Sequence, residues 1–553
     1  MLSDSPHRSG GGPASRRSSL RVVAAIGAVL ALAIVAAVGG TASTAGASPA
    51  AGSTLNWALA SSPPGLFTPS CFSTDCGIVF GNAFMRILEP GTFGQPTTGE
   101  NTAIESWKAV NPTTYVYKVR SGLKFANGTP ITAADVAFSI NIHLNKKLAS
   151  LMTLFFDGVK SVRASGNAVT VKLTQPNSNW PYILAGSPGV LYSKADYLKH
   201  STNYGNSQNI PVSSGPYKIT EFQVGDHATL VRNPFWKGTK YKWDSIRFSI
   251  IPDPQARLLA LQSGQIDGTF AVPNTQLDSW QKAPNVKAGA YISGGWRGFT
   301  IDVEDGPFKD VHVRRAMAYA TDRKGLTEAG TSGRGAVLDY GLPPLIFLKG
   351  VLPASELNAA LKKIKVYPYD LDKARAELKQ SAYPNGFTTT LNVPVESLAA
   401  TNLSQGLAQS LSKIGINVKL NFMAGQPRFQ IILDHGPNLG IQVIGEAPDS
   451  PNPLWYLDLY FNSIHAVKGY GNSSNYKNAA VDKWLAEGFA TGDLKVAARN
   501  ALKIMQATSV SVPYISVFSF PGAWATTASI GGVKSSIGPF VYNQVWIKNV
   551  KSS

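Results

Sequence analysis

"YKVRSGLKFANGTPITAADVAFSI", residues Tyr117 to Ile140, packs a strand end, a tight turn and a helix start into one stretch. It continues an alternating run, TYVYKVR from Thr114 to Arg120. Tyr115, Tyr117 and Val119 fall on one face and Val116, Lys118 and Arg120 on the other, the period of a half-buried strand. Asn127-Gly128 marks a turn, because both residue types tolerate positive φ. Thr132, two residues past Pro130, is a helix N-cap candidate. Asp135 stands three residues on to complete a capping box, and Ile131 and Val136 are spaced as a hydrophobic staple. Val136, Ile140, Leu144 and Leu148 then recur every four residues as one apolar stripe. Capping accounts for Asp135 without any catalytic role. The stretch predicts a strand-to-helix corner, so function has to be sought elsewhere.

The same mixture runs along the chain. Strand patterns lie at 54–60, 114–120, 167–173, 228–233, 246–251, 416–422 and 513–520. Helical patterns lie between them. PQARLLALQSG (Pro254 to Gly264) opens on Pro and closes on Gly. DVHVRRAMAYATDR (Asp310 to Arg323) spaces Val313, Ala316, Met317 and Ala320 helically. Further helices begin at Asp370, run from Ser397 to Ile414, and fill AAVDKWLAEGFA and LKVAARNALKIMQATSV near the end. No internal repeat or long low-complexity linker appears. With 553 residues the chain exceeds one core. Strands and helices recur without clean βαβ alternation, which predicts a mixed-sheet, multi-lobe α/β protein.

The composition is globular, 44% hydrophobic and 15% charged, with a net charge of +18. Four Arg and one Asp fall in residues 1–47, leaving +15 beyond them. Lys and Arg are dispersed, with no RNA-binding motif, zinc finger or basic helix, so nucleic acid is not an expected partner. Arg16, Arg17 and Arg21 precede an apolar run from Val22 to Val38, and Ala45-Gly46-Ala47 follows. This is the order of a signal peptide over 1–47, cleaved near Ala47. SRRSSLR (Ser15 to Arg21) also fits a twin-arginine signal, with Ser19 where an aromatic is usual; both export routes stay open. No lipobox cysteine follows. The expectation is a protein of the periplasm, cell envelope or exterior. Cys71 and Cys76 are the chain's two cysteines. In an exported protein they predict a short-loop disulfide, whereas two thiols with no His nearby make a poor zinc site.

Seven segments together resemble one family. The opening stretch is the most recognisable. The others are SSGPYKITEFQVGDHATLVRNPFWKG (Ser213 to Gly238), ARLLALQSGQIDG (Ala256 to Gly268), GPFKDVHVRRAMAYATDR (Gly306 to Arg323), YDLDKARAEL (Tyr369 to Leu378), IGINVKL (Ile414 to Leu420) and NYKNAAVDKWL (Asn475 to Leu485). In this order they resemble extracytoplasmic solute-binding proteins of ABC importers, the peptide/nickel class known as family 5. The resemblance implies a two-lobed periplasmic-binding-protein-like fold of the class II type, with mixed sheets. Lobe I would comprise 54–96, 206–300 and 514–553, and lobe II 301–513. An inserted subdomain would take 97–205. It also implies a monomer without cofactor or metal that captures a short peptide and hands it to permease subunits.

IGEAPDSPNPLWYL, Ile444 to Leu457, resembles the family's aromatic-x-Ala-Asp-x-x-Asp-Pro segment. That register puts Asp449 where peptide-binding members pair a carboxylate with the ligand's α-amino group. Glu446 then stands where an aromatic is usual, and Asn452 replaces an acidic residue before Pro453. Gly445, Glu446 and Ala447 complete the expected ligand segment. Trp296 and Arg297 in SGGWRGF, Trp455, and Ser61 and Ser62 after the first strand are further candidates for the pocket wall. The bland alternatives are packing for the aromatics and a turn role for Asp449. An oligosaccharide, a metal chelate, or sensing without transport remain open. No G-x-S-x-G, H-E-x-x-H or Cys-His device supports a secreted hydrolase.

Overall fold

The computed structural model describes residues 53–71, 73–91, 95–340, 348–436, 439–446, 450, 452–535 and 545–552. The signal segment, Ala447 and Asp449 lie outside the described residues. The opening stretch folds as its pattern predicts. Strand Thr114–Val119 buries Tyr115, Tyr117 and Val119 and leaves Lys118 exposed. Gly128 takes φ +85°, and a Cβ there would meet the Phe235 ring at 2.9 Å, so glycine is required. Asn127 keeps a negative φ and contributes through its side chain, accepting from the Thr129 amide at 3.1 Å and hydroxyl at 2.7 Å.

Helix Ala133–Asn141 follows. The Asp135 carboxylate accepts from the Thr132 amide at 2.9 Å and its hydroxyl at 2.7 Å. Its second oxygen accepts from the Lys194 amide at 2.9 Å, at the start of helix Lys194–His200. One carboxylate therefore serves two helix N-termini. Ile131 and Val136, the staple pair, are both buried in one core. The apolar stripe runs shorter than its spacing predicts. The helix stops at Asn141 and two short 3₁₀ turns carry Leu144 and Leu148, which are only partly buried.

An 11-stranded mixed sheet dominates the molecule. At one end Thr54–Leu59 runs parallel to Ser245–Ile250, which pairs antiparallel with His227–Arg232, and that with Tyr217–Gln223. At the other end Phe387–Pro394 runs parallel to both Ile416–Met423 and Ile441–Glu446. Two long strands, Val286–Ile301 and Tyr514–Thr527, pair antiparallel and join these ends. A separate four-stranded antiparallel sheet holds Ile104–Asn111, Thr114–Val119, Ala168–Leu173 and Val159–Ser165.

The pairing of the long strands is interrupted. It runs from Val286↔Thr527 to Ile292↔Pro521 and resumes at Trp296↔Ser519. Ser293, Gly294 and Gly295 form the bulge between. Gly294 has φ +74°, and the Ser293 hydroxyl donates to the Phe520 carbonyl at 2.6 Å. A Cβ at Gly295 would lie 2.3 Å from the Phe520 ring, so the glycine lets that ring close over the strand. The helix expected from Asp310 to Arg323 forms as Val311–Ala320, and a second helix, Arg323–Thr331, begins where it ends. Asp322 caps the second by accepting from the Gly325 amide at 2.9 Å, which breaks the run.

Candidate functional site

The long strand Val286–Ile301 leaves its bulge at Trp296 and at once pairs with Ile441–Glu446. Trp296 lies opposite Glu446, and Arg297 opposite Gly445. The register thus joins four of the candidates. Alternation then divides them between faces. Trp296 and Glu446 share one face, where both meet Tyr460. The Trp296 and Tyr460 rings cross at 5.7 Å, and the Tyr460 hydroxyl donates to Glu446 at 3.3 Å. Trp296 and Tyr460 are buried with Tyr514 and Phe461 in an aromatic core. Burial pushes the Tyr460 hydroxyl far up, and the Glu446 charge adds to this, so Tyr460 stays a neutral donor. Trp296 has no exposed surface, so it backs the wall from behind.

Arg297 and Gly445 share the other face. A Cβ at Gly445 would come within 2.7 Å of the Arg297 Cγ, so the missing side chain gives the arginine stem its room. The guanidinium sits over the Phe520 ring, 5.4 Å from its centre. Arg428, on helix Gly425–Asp434, reaches the same region. It donates to the Asn392 carbonyl at 3.0 Å and also to the Val443 carbonyl. Burial and the nearby Arg297 charge push the Arg428 pKa down to about 10. Sequence reading missed Arg428, for its neighbourhood carries no motif and only the fold brings it to the strand.

Among the described residues, no strand pairs with one edge of Ile441–Glu446 beyond Gln442, and there Arg428 donates to the Val443 carbonyl. The strand's pairing with Phe387–Pro394 stops at Gln442, while its pairing with the long strand continues to Glu446. Ile444, Gly445 and Glu446 are partly exposed there. The chain beyond is pinned again at Ser450, whose hydroxyl donates to Asn179 at 2.8 Å, and at Asn452, which accepts from the Leu454 amide at 2.9 Å. Asn452 thus does local turn work in place of the acidic residue usual there.

Trp455 opens helix Trp455–Phe461 and stacks on Phe155 at 5.3 Å and 11°. That pair walls a cavity of about 440 Å³ between the segments around 154–183 and 455–489. Asp157, Asp458, Asp482 and His465 also line it. Burial opposes a charged His465, but its bond to Asp458 at 3.3 Å and that carboxylate's charge outweigh burial, and its pKa is raised. Ser61 and Ser62 are held elsewhere. The Ser61 amide and hydroxyl donate to Asp75 at 2.8 and 2.6 Å, and the Ser62 hydroxyl accepts from the Gly225 amide at 2.8 Å. None of these bonds reaches the Arg297 region. Cys71 and Cys76 are disulfide-bonded, with Cα atoms 5.9 Å apart. Among the described residues no group of three His, Cys, Asp or Glu side chains is placed to hold a metal. No described helix is long and apolar enough to cross a membrane.

Residues 100–466, more than half of the chain, match the family described as bacterial extracellular solute-binding proteins, family 5 Middle. The chain belongs to that family and is a solute-binding protein of the ABC-transporter type. It is similar to the glutathione-binding protein GsiB of Escherichia coli K12, 29% identical over 432 residues, covering 76% of this chain and 80% of that one. Two solved structures share the two-lobed fold. One is the periplasmic binding protein DppA of Helicobacter pylori with the peptide STSA, at a TM-score of 0.76 and 21% identity over 90% of this chain and 98% of that one. The other is NikZ of Campylobacter jejuni with Ni(L-His), at 0.71 and 20% over 87% and 95%.

Proposed function

We propose that this chain captures a short peptide between two lobes and delivers it to an ABC transporter permease. The observation that carries the reading is the edge of Ile441–Glu446 that no described strand pairs beyond Gln442. Ladder pairing on that side ends at Gln442 while the strand runs on, and an extended peptide can add there as a further strand. Main-chain bonds supply affinity without reading side chains, which suits a protein that accepts several peptides. Asp449, in its family register, is the proposed anchor for the ligand's α-amino group, a charge-assisted bond. Gly445, Glu446 and Ala447 would carry the backbone contacts, with Trp296 and Trp455 as supporting walls. Lobe I comprises 54–96, 206–300 and 514–553 in this reading, lobe II 301–513, and the inserted subdomain 97–205. The protein works as an exported monomer, without catalysis or cofactor. GsiB's name and the DppA peptide complex support a peptide-like solute, while the NikZ complex keeps a metal chelate as the second reading.

Thermal-shift and calorimetric screening of di- to pentapeptides, beside oligosaccharides and nickel chelates, tests the proposal. A peptide response that weakens on N-acetylation supports both the class and the Asp449 anchor. A clear sugar or chelate response with none from any peptide overturns it.

A further inference from the structure

Most of the molecule's buried arginines are held by main-chain carbonyls. Arg257 donates to those of Ile251, Pro252 and Ala271. Arg314 reaches Ser511 and Phe308. Arg323 reaches Ser516, Ala318 and Tyr367. Arg428 reaches Asn392 and Val443. Such bonds spread the charge over dipoles, so these side chains act as internal braces.

Arg297 differs from them. No carbonyl or carboxylate among the described residues accepts from its guanidinium, and its only recorded partner is the Phe520 ring at 5.4 Å. Its surroundings are dry enough that burial alone lowers its pKa, with no opposing carboxylate. Glu446, paired opposite Trp296, belongs to the other face and takes the Tyr460 hydroxyl. The nearest neighbour of like kind, Arg428, adds a second positive charge. Among the described residues these two cations have no counter-ion, an arrangement that is costly to hold in a protein interior. The local sequence nevertheless makes room for Arg297. Gly445 clears space for the Arg297 stem, and Gly295 for the Phe520 ring that supports its head. Arg297 is also partly accessible, as a side chain facing a cleft is.

We propose that Arg297 is a specificity-determining residue that pairs with a carboxylate of the captured solute, with Arg428 supplying additional positive field. The solute it selects carries an anionic group beside that edge of Ile441–Glu446. For a short peptide this is the C-terminal carboxylate or an acidic side chain. The assignment of a peptide rests on the reading above, while the requirement for a carboxylate does not.

Two measurements test it. The first needs no ligand. Arg297→Met removes an unpaired charge, so the empty protein should melt about 1–2 °C higher than wild type. An unchanged or lower melting temperature would show the guanidinium to be a structural brace and overturn the proposal. The second is calorimetry with two acid/amide pairs: tri-alanine against tri-alanine amide, and nickel–L-histidine against nickel–histidinamide. The acid of the pair that binds should bind wild type about 10- to 100-fold tighter than its amide, and Arg297→Met should erase that preference. Arg297→Lys should keep part of it, since a point charge replaces the planar fork. Equal affinity of acid and amide for wild type sinks the Arg297 assignment but leaves peptide capture standing. An acid preference confined to the chelate pair supports Arg297 and overturns peptide capture.

Discussion

Asp135→Ala removes a carboxylate that the opening stretch places at a corner and the fold uses twice. Three donors lose their acceptor at once: the Thr132 amide and hydroxyl, and the Lys194 amide. Loss of the cap costs about 1 kcal/mol. Lys194 belongs to a second helix, and its stranded amide adds about 1–3 kcal/mol. The expected total is about 2–4 kcal/mol, and the loss falls on the part of the molecule built around the four-stranded sheet. With an m-value of about 1.5 kcal/mol per M, the urea midpoint of that part falls by about 1.3–2.7 M. Hydrogen exchange locates the effect, with residues 133–141 and 194–200 opening together because they share the acceptor. Asp135→Asn should lose less. Its one oxygen can still serve Thr132, but its amide group then faces the Lys194 donor. Peptide affinity should be unchanged in both variants. A loss below about 0.5 kcal/mol for Asp135→Ala would refute the double-cap argument. So would destabilisation of residues 133–141 with no change at 194–200.

Two further predictions concern the candidate cavity and the bulge. His465 has a raised pKa beside Asp458, so its contribution is present while it is protonated, below the ordinary imidazole value, and is lost as pH rises through the folded-state value. His465→Asn should therefore cost more stability at pH 5.5 than at pH 8.5 in paired melting curves, and an equal cost at both would refute the ion pair. Gly294→Ala should cost about 1–2 kcal/mol, because φ +74° is left-handed and alanine resists it. Gly225→Ala, at φ +82° in open space, should cost the same, and a much smaller penalty at Gly294 would mean that the bulge relaxes.

The sequence made some of this legible and concealed the rest for identifiable reasons. Local patterns were strong where one segment carried its own signal. The strand at 114–119, the cap at Asp135 and the helices at 254–262 and 398–412 all follow from period and end chemistry. The 16-residue strand Val286–Ile301 escaped, although the sheet depends on it. Its sequence, VKAGAYISGGWRGFTI, holds four glycines, which weaken any strand pattern. The bulge at 293–295 then resets the alternation, so no single period spans the element. Resemblance named Arg297 and Gly445 as neighbours of a cleft, but it could not pair them. They stand far apart in the chain, and cross-strand register is a property of the assembled sheet.

That register changes what the glycines mean. Glycines such as those of SGGWRG can, in sequence alone, signal close approach of the backbone to a ligand. In the fold, Gly295 yields to Phe520, Gly445 yields to Arg297, and Gly298 lies so close to the neighbouring strand that a Cβ would stand 2.2 Å from the Ile515 carbonyl oxygen. Each therefore makes room for another part of the same protein. Two of these adjustments converge on one guanidinium, which then meets the Phe520 ring but no hydrogen-bond acceptor among the described residues. Glycine-for-space is ordinary where a brace must be fitted, as with the carbonyl-bound arginines. A brace without a bond explains nothing about the space made for it, whereas an arginine that waits for an external carboxylate explains both the room and the missing acceptor. The free acid and its amide decide between the two.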